Sequence, residues 1–162
     1  MQKVFHALSA RGITHVYFIG GMGTVSFVKH FKDFVRRQGA QLSLITIPCV
    51  LENDLPFFDQ SVGFSTGLEE SIEFIESATV EAEGAENAVG VIRLTGKRAG
   101  YLAVGAALAS QNVDICLVPE MSFSLYGAHG VYEAICQKAM KDRCIIVITE
   151  GAVQGLQAED AM

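Results

Sequence analysis

Leu42-Ser43-Leu44-Ile45-Thr46-Ile47-Pro48-Cys49-Val50-Leu51-Glu52-Asn53-Asp54 is the stretch that decides the fold. Its first six residues form a hydrophobic, β-rich run. A proline ends that run, and two acids and an amide follow at once, with Leu55 and Pro56 behind them. A buried strand that runs into Glu-Asn-Asp places carboxylates at the carboxyl edge of a parallel sheet. That edge is where open α/β folds bind ligands.

Outward from this stretch, strands alternate with helices. Residues 1–11 suit a short helix stopped by Gly12. Residues 14–19 (THVYFI) are predicted to be a buried strand, rich in β-branched and aromatic side chains. Gly20-Gly21-Met22-Gly23-Thr24 follows it. Over residues 24–38, Val25, Val28, Phe31, Phe34 and Val35 recur at helical spacing, and Gly39 stops the helix. Residues 55–63 are a loop. Residues 65–83 are amphipathic, with Leu68, Ile72, Ile75 and Thr79 on one face and a solvated acidic face of Glu69, Glu70, Glu73 and Glu76. A strand at 88–94 runs into Thr95-Gly96-Lys97. A helix over 98–110, built of small residues, is expected to pack closely. A strand at 113–118 leads to Pro119-Glu120, a helix spans 130–141, and a strand at 144–149 precedes Glu150-Gly151-Ala152. The alternation predicts an α/β fold with a doubly wound parallel sheet. A seam is expected near Gly63, where a long loop meets the acidic helix.

At 162 residues the chain has about the length of one ordinary domain, and half of its residues are hydrophobic. The net charge of −6 excludes a general affinity for nucleic acid, which needs a basic face. Cys49, Cys116, Cys136 and Cys144 include no C-x-x-C pair and are expected to be buried, reduced thiols. His6, His15, His30 and His129 are scattered, so no metal ligand set is expected. No run has the length of a membrane span. Residues 1–6 are too short and polar to open a secretory signal, and residues 157–162 are expected to be a loose end. An intracellular setting is expected, cytoplasmic or organellar.

Each strand end carries a loop with two readings. Gly20-Gly21-Met22-Gly23-Thr24 would bring bare amides to the positive end of a helix, which suits a phosphate; three glycines also serve any tight strand-to-helix turn. In Glu52-Asn53-Asp54 one carboxylate would take a proton from an attacking hydroxyl while the other held a metal or a water; the alternative is acids that cap a helix or face water. Thr95-Gly96-Lys97-Arg98 would hold a sugar phosphate with its cations, or be an exposed basic turn opening a helix. Cations at a helix start oppose its dipole, which favours an anion nearby. Glu120 would accept hydrogen bonds from sugar hydroxyls. Together these loops are expected on one sheet edge.

In order, the motifs are GG-x-GT, P-x-x-x-x-ND, D-x-S-x-GF-x-T, GK-x-AG, PE and EGA. This series resembles the phosphofructokinase family over residues 13–154, and looks most like the branch with plant and trypanosome enzymes. The resemblance implies two α/β lobes, with residues 1–63 part of the first (the donor-phosphate loop) and residues 64–162 part of the second (the sugar-phosphate side). It implies transfer of a phosphoryl group from ATP or pyrophosphate to fructose 6-phosphate with Mg²⁺. By position, Gly20, Gly21, Gly23 and Thr24 match the donor loop. Glu52 stands at the catalytic aspartate, and Asn53 and Asp54 match the acid-rich loop. Thr95, Gly96 and Lys97 stand at the family's Met-Gly-Arg contact to the sugar phosphate, and Glu120 at the sugar-binding glutamate.

The departures from the family pattern shape the functional expectation. Met22 stands where the family has the aspartate of GGDGT, and a thioether is no ligand for Mg²⁺. Cys49 and Val50 replace the residues after the family's proline. Glu52 moves the carboxylate by about 1.5 Å, a displacement that costs on the order of a hundredfold at a reacting group. Lys97 lacks the guanidinium fork of the arginine it replaces. An arginine expected near Ala88 is absent. A further glycine-rich donor loop of the family's opening segment, and phosphate-binding residues of its closing segment, have no counterpart in the sequence. The expected protein is a phosphofructokinase-like, partial α/β unit with impaired catalysis and no resident metal, acting as a structural or regulatory part of a larger assembly with other subunits. The rival expectation is an active fragment completed by other segments, with Glu52 as base, Asp54 on the metal and Lys97 on the sugar phosphate.

Overall fold

The structure is a computed structural model that describes residues 1–155. The loose end expected at residues 157–162 lies outside the described residues. The chain divides into two compact units: residues 1–50 with 54–62, and residues 51–53 with those from Gly63 onward.

The first unit contains α1 (Gln2–Ala10), β1 (His15–Gly20), α2 (Met22–Arg37) and β2 (Ser43–Pro48). Gly12 and Gly39 end the helices at positive φ, 64° and 65°, where a side chain would be strained. β1 and β2 pair in parallel from His15 opposite Ser43 to Gly20 opposite Pro48. The core is aromatic. Phe31 is fully buried. It meets Phe18 edge-on at 6.2 Å and stacks on Phe27 at 5.7 Å and Phe34 at 6.4 Å. Phe5 of α1 closes the row against Phe34 at 5.8 Å. Val28 and Val35 are buried beside Phe31 on α2, on the face its spacing predicts. The prediction that β1 is buried is corrected: Tyr17 and Ile19 are 60% and 65% exposed. Side chains alternate along a strand, and only the face bearing Val16 and Phe18 packs inward.

The second unit contains α3 (Phe64–Glu83), β3 (Val89–Leu94), α4 (Tyr101–Ser110), β4 (Ile115–Leu117), α5 (Val131–Ala139) and β5 (Cys144–Thr149), then a 3₁₀ turn at Ala152–Gly155. Its sheet has the order β3-β5-β4, all parallel. The strands are parallel as predicted, but they form two sheets instead of one doubly wound sheet. The main core joins Ile75 and Ala82 of α3, Ala103 and Ala106 of α4, Leu94, Ile145 and Val147 of the sheet, and Val118 just past β4. A smaller cluster of Ala139, Cys144 and Ile146 collects Ile115 and Ile135. Small residues let α3 and α4 approach, as the composition of α4 predicts: a Cβ on Gly105 would come 3.1 Å from Leu68 Cδ1. Ser71 and Thr79 are buried on α3 because their hydroxyls donate to the Gly67 and Ile75 carbonyls, 2.6 and 2.8 Å away. All four cysteines are free; Cys144 is buried and the other three are half-buried. Burial pushes the Cys116 and Cys144 thiols above their ordinary pKa.

Asp114 fastens the start of β5. Its backbone N–H donates to the Ile145 carbonyl at 2.9 Å. Its carboxylate accepts from Ile145 N–H at 2.9 Å and from Lys138 Nζ at 2.9 Å. Burial opposes the charge, but the Ile145 hydrogen bond, Lys138 and Arg143 outweigh it and hold the carboxyl below its ordinary value of 3.8.

Two predictions follow from this core. Ile75→Ala should cost about 2–5 kcal/mol in urea unfolding, because a fully buried side chain leaves a cavity. Because the folded pKa of Asp114 is lowered, its stabilisation is complete above the ordinary aspartate range and is lost as pH falls through the lowered value. The stability gap between the native chain and Asp114→Asn should therefore be about 1–3 kcal/mol at pH 7 and narrow below pH ~4, as read by urea titration at both pH values.

Candidate functional site

In the first unit the site begins where β1 ends. Gly21 caps α2 with extended backbone, and the helix starts at Met22. This corrects the predicted start near residue 24: Gly23 and Thr24 lie within the first helical turn. The first intrahelical bond runs from Val25 N–H to the Gly21 carbonyl, 3.1 Å. The N–H groups of Met22, Gly23 and Thr24 thus have no helical acceptor, and they stand at the positive end of the dipole. The first turn contains no acidic residue. A side chain on Gly20 would collide with that of Thr24, and a Cβ on Gly21 would press on Val50 at 3.2 Å. A Cβ on Gly23 would meet nothing within 4 Å.

The loop after β2 is held by Ser61 and Val62. Val50 N–H donates to the Val62 carbonyl at 3.1 Å, and Val62 N–H donates to the Pro48 carbonyl at 3.0 Å. The buried Ser61 hydroxyl donates to the Val50 carbonyl at 2.6 Å. Ser61 belongs to the D-x-S-x-GF-x-T motif, but its fastening role had no separate signal in the sequence. Asp54 Oδ1 is buried without a hydrogen-bond partner.

The second unit builds its site on the carboxyl edge of β3-β5-β4. Past the strand ends, Glu150 N–H donates to the Leu94 carbonyl at 3.2 Å, and Gly151 N–H to that of Gly96 at 2.9 Å. Glu52 reaches the same edge. Its Oε1 accepts from the Thr95 hydroxyl at 2.7 Å, and its Oε2 accepts from Lys97 N–H at 3.4 Å. Asn53 sits at φ 51°, a left-handed conformation that asparagine tolerates better than most residues. Gly96 is buried at φ 144°, and a Cβ there would come 2.7 Å from the Ala99 carbonyl. Lys97 Nζ lies 3.9 Å from Glu150 Oε2 on a side chain that is 75% exposed. Glu120 Oε1 accepts from Gly100 N–H at 2.8 Å. Gly100 is the N-cap of α4, so Glu120 places its charge where a helix dipole favours an anion.

Three expectations change here. The loops do not share one sheet edge: Gly20–Thr24 follows β1, and Thr95–Lys97, Glu120 and Glu150 lie on the edge of the other sheet. The run Glu52-Asn53-Asp54 is divided, with Glu52 and Asn53 counted in the second unit and Asp54 in the first. Lys97 and Arg98 do not open a helix, because α4 begins at Tyr101. The dipole argument for a bound anion at that turn therefore lapses. Glycines 96, 100 and 151 leave the backbone no room for a side chain. Gly151 was visible in the sequence only through the EGA motif.

Two parallel sheets flanked by helices, with glycine turns and charged loops at their carboxyl edges, define an α/β architecture. The phosphofructokinase family model matches residues 1–161, and the chain belongs to that family. It is 40% identical over 159 residues to ATP-dependent 6-phosphofructokinase 7 of Arabidopsis thaliana, covering 97% of this chain and 33% of that protein. It is 32% identical over 151 residues to the ATP-dependent 6-phosphofructokinase of Trypanosoma cruzi, covering 92% and 30%. The chain thus spans about a third of the length of these curated relatives. Its fold is similar to that of phosphofructokinase from Saccharomyces cerevisiae, with a TM-score of 0.72 at 22% identity over 89% of this chain and 22% of that one. The pyrophosphate-dependent phosphofructokinase of Marinobacter aquaeolei gives 0.70 at 21% identity, over 93% and 40%.

Gly151→Ala should destabilise the chain by about 1–3 kcal/mol, because its Cβ would lie 2.9 Å from the Gly96 carbonyl oxygen and collide with that of Lys97. Gly23→Ala meets open space in a helix and should raise stability by about 0.5–1 kcal/mol. Thermal and urea unfolding of the pair check both signs.

Proposed function

We propose that the chain is a catalytically impaired phosphofructokinase-family component that keeps a sugar-phosphate loop and serves as a structural or regulatory part of a larger assembly. In this reading residues 1–63 derive from the donor-phosphate lobe and residues 64–162 from the sugar-phosphate lobe. Gly96, Lys97 and Glu120 would meet fructose 6-phosphate, and Gly20, Gly21, Gly23 and Thr24 the phosphates of ATP or pyrophosphate.

The observation that carries the proposal is the state of Glu52. A general base needs a carboxylate oxygen within reach of the proton it removes. Both Glu52 oxygens accept hydrogen bonds from the chain itself, from Thr95 and Lys97, so its own loop sets its orientation. Glu52 then acts as a tether for its own loop, with Thr95 as its donor. Magnesium does not fit the residues present. Met22 offers a thioether, Asp54 Oδ1 is a single unpartnered carboxylate oxygen, and among the described residues no group of three His, Cys, Asp or Glu side chains converges. No step of this proposal passes through a metal.

A second reading is favoured by two features: the buried, unpartnered Asp54 Oδ1 and the exposed ammonium of Lys97. It is an active 6-phosphofructokinase fragment, completed by segments that supply the remaining donors. Calorimetry with fructose 6-phosphate, ATP and pyrophosphate in Mg²⁺ buffer, followed by an assay for fructose 1,6-bisphosphate on the same sample, separates the two. The first reading expects sugar-phosphate binding weakened at least tenfold by Lys97→Ala, with no turnover. Turnover abolished by Glu52→Ala would overturn it and make Glu52 the base.

A further inference from the structure

Charge is unevenly placed along the chain. α2 carries Lys29, Lys32, Arg36 and Arg37 against one acid, Asp33. α3 carries six glutamates and no lysine or arginine. Each helix buries one face: Val28, Phe31 and Val35 on α2, and Gly67, Ser71, Ile75, Thr79 and Ala82 on α3. The charged faces are left to solvent. Lys29, Lys32 and Arg36 are exposed, and so are Glu69, Glu73 and Glu76. The ion pairs among the described residues involve none of these six.

The two rows match in length and in spacing. Residues three and four apart share a helix face. Lys29, Lys32 and Arg36 are separated by steps of three and four, and Glu76, Glu73 and Glu69, taken in the opposite direction, by the same steps. Each row spans about 10 Å along its helix. Laid antiparallel, Lys29 meets Glu76, Lys32 meets Glu73 and Arg36 meets Glu69. A parallel arrangement would put the middle pair out of step. Like charges at these spacings repel one another along each helix, and a row of opposite sign relieves both. The net charge of −6 disfavours a nucleic acid as the partner of α2. A second copy of the chain carries the matching acidic row.

We infer that the basic row of α2 in one copy docks antiparallel on the acidic row of α3 in a second copy, so that the chain self-associates through complementary charge. The contact joins two different surfaces, and each copy offers both. Surface ion pairs are individually weak and are screened by salt, so the contact is reversible and salt-dependent. It holds whether or not the chain turns over substrate.

Sedimentation velocity of the full chain over a concentration series tests this at about 0.01 M and about 1 M salt, where the screening length is ~30 Å and ~3 Å. The expected result is concentration-dependent association at low salt that weakens at least tenfold at high salt. The triple variant Lys29→Glu/Lys32→Glu/Arg36→Glu should stay monomeric at low salt, and so should Glu69→Lys/Glu73→Lys/Glu76→Lys. Mixed, the two should associate again, because each supplies the row that the other lacks. All six positions are exposed, and restored association also shows that both variants fold. The single reversals Lys32→Glu and Glu73→Lys repeat the exchange at the central pair with the least change to either helix. Glu86→Lys/Glu133→Lys, at exposed positions outside both rows, should associate as the native chain does. A native chain that stays monomeric at low salt, self-association of either triple variant alone, or mixed variants that fail to associate would overturn the inference. Loss of association in Glu86→Lys/Glu133→Lys would also overturn it, by making net charge the cause.

Discussion

β5 lies between β3 and β4 and is buried along almost its whole length, so its register fixes where both neighbours end. Leu94 of β3 stands opposite Thr149, and Leu117 of β4 opposite Ile148. The pairing continues beyond the strands through Glu150 and Gly151, which bond to the Leu94 and Gly96 carbonyls. The Thr149 hydroxyl adds a bond to the Leu117 carbonyl at 3.3 Å. Three loops therefore leave the sheet at one level. The charged residues they carry are neighbours because of this register, and a slip of one position would turn every side chain of a strand to the opposite face.

On that edge, two departures from the family pattern become one interaction. Read separately, glutamate at position 52 lengthens a base and threonine at position 95 removes a methionine. In the fold they are partners, with the Thr95 hydroxyl 2.7 Å from Glu52 Oε1. A hydrogen bond to a carboxylate contributes roughly 1.5–3 kcal/mol, comparable to several surface ion pairs. The Lys97–Glu150 pair, at 3.9 Å with a largely exposed lysine, is such a surface pair and orders its loop much less. Glu120 likewise belongs to the scaffold: its Oε1 holds the Gly100 cap of α4, and its Oε2 lies 3.0 Å from where a Cβ on Gly100 would stand. Glu52 and Glu120 thus maintain the scaffold at this edge.

The sequence made the elements legible because the signals are local. Helical spacing located Phe31 and Val35 on α2 and Ile75 and Thr79 on α3, and all four are buried. Glycine marked the ends of α1 and α2. Signals that depend on partners distant in sequence were not legible. Tyr17 and Ile19 look like core residues in a β-rich run, yet only one face of β1 is covered. Asp114 was passed over because its importance lies in Ile145 and Lys138, more than twenty positions away. Motif order located the loops correctly, but it could not show that the chain distributes Glu52 and Asp54 between two units.

The glycines of the first loop have different causes, and this bears on what the loop means. Gly20 and Gly21 are explained by packing alone, since Thr24 and Val50 occupy the space a side chain would need. Gly23 has no such neighbour, and it lies in the first turn of α2. Packing therefore gives no reason for glycine at position 23. The positive end of α2, with its unbonded amides, favours an anion there. The donor-phosphate reading of this loop therefore rests on Gly23 and the start of α2 at Met22, and the number of glycines adds nothing to it.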